Sequence, residues 1–124
     1  VWFGKDYQGA YSHLRLELAA DVDENDSPTA LRIVLFRVIQ ESLNNIAKHS
    51  RATAAKIRLQ KQGNTLKVSV TDNGVGFDMT TAMGIQETGR GLKSMRERVE
   101  LSGGTFILRS KPNKGTQLTA YWES

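Results

Sequence analysis

Two short segments in which apolar and polar residues alternate, 55–60 and 65–71, flank Gly63-Asn64, and this pairing limits the possible folds more than any other stretch. A period of two marks a strand with one buried face, and a Gly-Asn pair between two such strands marks a tight hairpin. In the second strand Leu66, Val68 and Val70 share one face, with Lys67, Ser69 and Thr71 on the other. That strand runs directly into Asp72-Asn73-Gly74-Val75-Gly76-Phe77. A carboxylate is thereby delivered to the end of a sheet, just where two spaced glycines let another group approach the backbone closely. Such an Asp can accept a hydrogen bond from a ligand amine. Read alone, Asn73-Gly74 is a turn signal and the run is a turn.

The other elements decide what covers the sheet. Leu14, Leu16 and Leu18 alternate with Arg15 and Glu17, which predicts a strand over 13–18. An acidic loop, 21–26, leads to Ser27-Pro28, the pattern of an N-cap followed by Pro in the first helical turn. Leu31, Val34, Leu35, Val38, Ile39 and Ile46 then recur at helical spacing, predicting a helix from about Thr29 to Lys48. The stretch 78–88 follows neither period and reads as a loop. A second helix is expected over about 91–102, with Leu92, Met95 and Val99 on one face and Gly103 just past its end. Strands over 105–110 and 116–122 follow, joined by Pro112-Asn113-Lys114-Gly115. Helices and strands alternate only partly, and the other connections are hairpin-like or loop-like, so the expected class is α+β: a two-layer sandwich of one mixed sheet with helices on one face.

The chain has 124 residues, which is one domain, and 39% of them are hydrophobic and 24% charged, as in an ordinary globular protein. No apolar run approaches the ~20 residues that span a bilayer. No signal peptide is visible, and the start at Val1 without Met suggests a piece of a longer protein. There is no cysteine, hence no disulfide framework or thiolate metal site. His13 and His49 are far apart in sequence, which argues against a histidine zinc site. The net charge of +4 raises nucleic acid as a partner, but Lys and Arg are interleaved with acids and no basic run carries aromatics. A mildly basic solvated surface is the simpler reading.

Two further groupings carry chemistry. Glu41 and Asn45 are four residues apart, so they share a helix face one turn apart, with Arg37 and Lys48 extending the line. A carboxylate and an amide so placed can share a hydrated divalent cation, although read alone they are better explained as the solvated face of an amphipathic helix. Gly89-Arg90-Gly91 stands before Leu92 at the second helix, where glycines admit phosphates to free N–H groups and to the positive end of the helix dipole. A flexible hinge is the plain alternative. Neither the P-loop nor the Rossmann glycine pattern is present.

The order of these parts resembles the ATP-binding domain of the gyrase, heat-shock chaperone, histidine kinase and MutL superfamily, the Bergerat-type fold. The carriers are Glu41-x-x-x-Asn45, Asp72-x-Gly74-x-Gly76, Gly89-x-Gly91-Leu92 and a late Gly115-Thr116. Arg37 through His49 is similar to the N box of bacterial sensor histidine kinases of the nitrate-sensor type, and Gly91 through Val99 to their G2 box and following helix. The resemblance implies that Asn45 ligates a Mg²⁺ bridging the ATP phosphates. Glu41 takes the place of the acid that polarises a water or the phosphoacceptor. Asp72 receives the adenine N6 hydrogen bond, helped by Thr116. Gly74 and Gly76 admit the base; Gly89 and Gly91, with Leu92 beside them, admit the phosphates under a lid over 78–88. Lys48 and Arg90 are further phosphate contacts, with Arg90 standing where the family usually has another residue.

The implied activity is γ-phosphoryl transfer from Mg-ATP to a histidine on a separate dimerisation domain, which this chain lacks, followed by a response regulator. His13 and His49 are expected to be structural. The implied setting is a cytoplasmic domain of a homodimeric parent, with membrane anchoring of that parent left open and neither nucleic acid nor membrane touched by this domain. A serine kinase of the anti-sigma-factor type, or a non-catalytic nucleotide-sensing or nucleic-acid-binding module, are the alternatives.

Overall fold

The structure, a computed structural model, describes residues 15–21, 29–76 and 91–123. Its element order is β1 (Arg15–Asp21), α1 (Thr29–Asn45), a π-helical turn (Ile46–Ser50), β2 (Ala54–Gln62), β3 (Thr65–Asp72), α2 (Leu92–Leu101), β4 (Thr105–Ser110) and β5 (Thr116–Glu123). The strands form one five-stranded sheet in the order β1-β2-β3-β5-β4. β1 and β2 are parallel, with helix α1 between them in the chain, and every other neighbouring pair is antiparallel. The expected mixed α+β sheet is what forms.

The β2–β3 hairpin closes through two residues, with Gln62 opposite Thr65 and Gly63 at φ +59°. A positive φ at the first position of a two-residue loop matches the twist of the strands it joins. The alternation then places Leu66, Val68, Val70 and Asp72 on the buried side of β3, facing inward beside Ile57 and Leu59 of β2 and Leu118, Ala120 and Trp122 of β5. Helix α1 covers that face with Leu35, Val38, Ile39 and Leu43. Helix α2 adds Leu92, Met95 and Val99. The Ser42 hydroxyl, buried between the helices, donates to the Val38 carbonyl at 2.6 Å and lies 3.9 Å from the Met95 sulfur.

Several expected boundaries move. Within the described residues the first strand runs on to Asp21, a residue that the sequence pattern places in the acidic loop. Regular α-helix stops at Asn45, and Arg51 at φ +56° terminates the widened turn that follows. Lys48 therefore lies beyond the α-helical line of Arg37, Glu41 and Asn45, on an exposed turn with a different repeat. Helix α2 ends as expected. Gly103 N–H donates to the Glu100 carbonyl at 3.0 Å and Gly104 N–H to Val99 at 2.9 Å, with Gly103 at φ +87°. The expectations at His13, Ser27-Pro28, the 78–88 loop, Gly89 and Arg90 lie outside the described residues.

Candidate functional site

The end of β3 is built by local rules. Gly74 N–H donates to Asp72 Oδ1 at 2.7 Å, closing an Asx turn that holds the carboxylate at the sheet end. Asn73 then fastens the neighbouring corner. Its Oδ1 accepts from the N–H groups of Thr53 and Ala54 at 3.0 and 3.1 Å, and its amide donates to Thr53 Oγ1 at 3.0 Å. These bonds place Asp72 beside the segment that leaves the C-terminal end of α1. The turn reading of Asn73-Gly74 and the carboxylate reading of Asp72 thus describe one arrangement.

Thr116 faces Asp72 across the β3–β5 register, a juxtaposition set by sheet pairing over more than forty positions of sequence. Its hydroxyl lies 2.9 Å from that of Ser110, which donates to the Gly115 carbonyl at 3.0 Å. Asp72, Leu108, Ser110, Gly115 and Thr116 line a cavity of about 710 Å³ at this end of the sheet. Two glycines are required here. A Cβ on Gly115 (φ +76°) would collide with the Asp72 carbonyl oxygen, and one on Gly76 (φ +62°) with the Lys111 carbonyl oxygen. The close approach at Gly76 is thus made first by the protein's own β4–β5 turn, which Asn113 N–H also ties to the Val75 carbonyl at 2.6 Å.

The second half of the site lies between α1 and α2. Gly91, at φ +72°, is placed so that an added Cβ would sit 2.8 Å from Glu41 Oε1. The Glu41 carboxylate therefore rests on bare backbone at the start of α2. The N-cap of that helix is Gly91, which has no side chain to cap it, and the first turn has no acid, so among the described residues its N-terminal N–H groups have no side-chain cap and suit a ligand. Arg37, Gln40, Glu41, Gly91, Ser94, Met95 and Arg98 line a cleft of about 250 Å³.

Asn45 ends α1 one turn from Glu41, and its Nδ2 is buried with no hydrogen-bond partner. An amide held there without a protein partner fits a ligand contact, and its Oδ1 is a hard oxygen of the kind Mg²⁺ takes. Among the described residues no group of three or more His, Asp or Glu could hold a metal alone, so phosphate oxygens and water would complete such a shell.

The structure thus brings Asp72 to Gly74 and Thr116, and Glu41 to Gly91. It does not carry Lys48 into the α1 line. Ser110, Asn73, Ser94 and Arg98 were not singled out as site residues from sequence. Ser110 could have been suspected as the residue register places opposite Thr116, but only once the β4–β5 pairing was known.

Residues 30–124 match the family described as histidine kinase-, DNA gyrase B-, and HSP90-like ATPase. The chain belongs to that family. It is a catalytic ATPase domain of the histidine-kinase type. Among its relatives, the signal transduction histidine-protein kinase/phosphatase DegS of Brevibacillus brevis is 38% identical over 91 residues, 73% of this chain and 23% of DegS. The sensor histidine kinase LiaS of Bacillus subtilis is 32% identical over 103 residues, 83% of this chain and 28% of LiaS. The chain spans about a quarter of the length of these relatives. Its fold is shared with the histidine kinase domain of the Erythrobacter litoralis EL346 blue-light activated kinase, at a TM-score of 0.79 and 17% identity over 98% of this chain and 59% of that one. No helix among the described residues is long and apolar enough to cross a membrane.

Proposed function

We propose that this ATPase domain binds Mg-ATP in one orientation and presents its γ-phosphoryl group to a histidine on a separate dimerisation domain of its parent protein. A response regulator is the downstream partner. The observation that carries this reading is the pairing of two half-sites, Asp72 with Thr116 at the sheet end and Glu41 against Gly91 at the start of α2.

In this reading Asp72 accepts the adenine N6 hydrogen bond through the carboxylate that the Gly74 turn orients, with the Thr116 hydroxyl beside it. The buried Leu108 and Gly115 on the cavity wall offer the base an apolar surface. The phosphate chain passes Asn45 and reaches the uncapped N–H groups at Gly91. Asn45 would hold the Mg²⁺, which supplies charge neutralisation on the phosphates. Phosphoryl transfer demands mainly alignment and charge stabilisation. As the bond from the γ-phosphorus to the ADP oxygen breaks, a bond to the incoming imidazole nitrogen forms. Glu41 is the carboxylate placed to accept the proton that the imidazole then loses.

Gly89 and Arg90 are assigned to the phosphates on family pattern, Leu92 anchors the helix beneath them, and Lys48 contributes positive charge from the exposed turn. The relatives' names favour histidine over serine as the acceptor. The test is calorimetry with Mg-ADP and Mg-ATP, followed by phosphorylation of the parent's dimerisation domain supplied in trans. Nucleotide binding with no transfer to that domain would refute the kinase assignment; no binding at all would refute the site.

A further inference from the structure

The cleft between α1 and α2 is lined by two arginines that the scheme above does not use. Arg37 reaches it from α1 and Arg98 from α2, with Glu41, Gln40 and Ser94 on the walls between them. No ion pair or side-chain hydrogen bond joins Arg37, Glu41 or Arg98 to another described residue. Arg37 and Arg98 thus flank one small cleft with the single carboxylate of Glu41 and no partner among the described residues, and an oxyanion there would find a donor on each side.

Position along α1 says which oxyanion. Asp72 lies at the C-terminal end of α1, because Asn73 is bonded to Thr53 and Ala54 just beyond that helix. Moving away from Asp72, Asn45, Glu41 and Arg37 follow in steps of four residues, about 6 Å each along the axis. A nucleotide whose base sits at Asp72 therefore meets Asn45 first, Glu41 and Gly91 next, and Arg37 and Arg98 last.

We propose that Arg37 and Arg98 form a two-sided clamp for the γ-phosphoryl group. It distinguishes ATP from ADP and spreads the charge that develops on the phosphoryl oxygens as the P–O bond to ADP breaks and the P–N bond forms. The clamp rests on the ATP-site reading given above. A guanidinium is suited to the task because its planar fork offers parallel donors to two oxygens of one phosphoryl group. Both arginines are exposed residues, so neither is needed for the core.

The test is calorimetry on this chain with Mg-ADP and with the Mg complex of a non-hydrolysable ATP analogue. Arg37→Ala and Arg98→Ala should each weaken the triphosphate by about tenfold or more, the scale of one charge-assisted hydrogen bond, and leave ADP within twofold. Arg37→Lys should recover part of the loss. Arg58→Ala removes the same charge from an exposed position on β2 and should change neither ligand. Equal loss for both nucleotides would overturn the clamp in favour of a general electrostatic effect. No loss for either would also overturn it, and would point to an acidic side chain of the acceptor segment as the cleft's occupant. Failure of the unaltered chain to bind any adenine nucleotide would overturn the site reading itself, a result distinct from the other two.

Discussion

Replacing Asp72 by Asn separates the carboxylate's two duties. Oδ1 accepts the Gly74 N–H at 2.7 Å, and an Asn oxygen in that place keeps the turn. The second carboxylate oxygen becomes an NH₂ group, which would face the adenine amine donor to donor. The lost bond is one to a charged acceptor, worth about 1.5–3 kcal/mol. At 1.4 kcal/mol per decade that is roughly a 10- to 150-fold rise in Kd for Mg-ADP. Folding should change by no more than about 1 kcal/mol, because the turn bond is retained and loses only its charge assistance. Calorimetry gives the Kd and a thermal melt controls for folding. A second readout guards against a loss of general fit: the new NH₂ can donate to the carbonyl at position 6 of guanine, so the preference for ADP over GDP should narrow. An ADP affinity within twofold of the parent, at an unchanged Tm, would show that Asp72 serves the turn alone and would refute the adenine assignment.

Other substitutions test the scaffold. Gly115→Ala drives a Cβ into the Asp72 carbonyl oxygen at a residue with φ +76°, and should cost about 2–3 kcal/mol in chemical denaturation while also weakening nucleotide binding. Gly103→Ala meets nothing within 4 Å and suffers only its φ of +87°, so about 1 kcal/mol is expected from the same measurement. Leu43→Ala, at a fully buried position of α1, should cost about 2–5 kcal/mol; a loss under 1 kcal/mol would contradict the packing described. Asn45→Ala should abolish most of the Mg²⁺ dependence of ATP binding with little change in Tm, since its Nδ2 makes no hydrogen bond that the fold would lose.

Local chemistry accounts for what was legible in the chain. The period of two in 65–71 assigned Leu66, Val68 and Val70 to the buried face, and that face extends to Asp72. The helical stripe through Leu35, Val38 and Ile39 and the Gly103 stop of α2 also needed only near neighbours. Even the failures are local in origin: nothing in Ile46-Ala47-Lys48-His49-Ser50 announces a π-turn, because all five residues fit a continued α-helix. The glycines at 74, 76 and 91 were recognised as permissive, yet their neighbours were not, since a glycine's contacts come from distant segments.

What the sequence by itself determined is the set of elements, the faces they bury, and the order of acid, amide and glycine motifs that identifies the family. The tertiary structure alone decided that β1 lies parallel to β2, that β5 enters between β3 and β4, that Thr116 stands opposite Asp72, and that Glu41 lies on Gly91 beside Arg37 and Arg98. Strand register and helix packing are collective outcomes. They depend on how the buried faces of elements far apart in the chain fit together, and no local window contains that information.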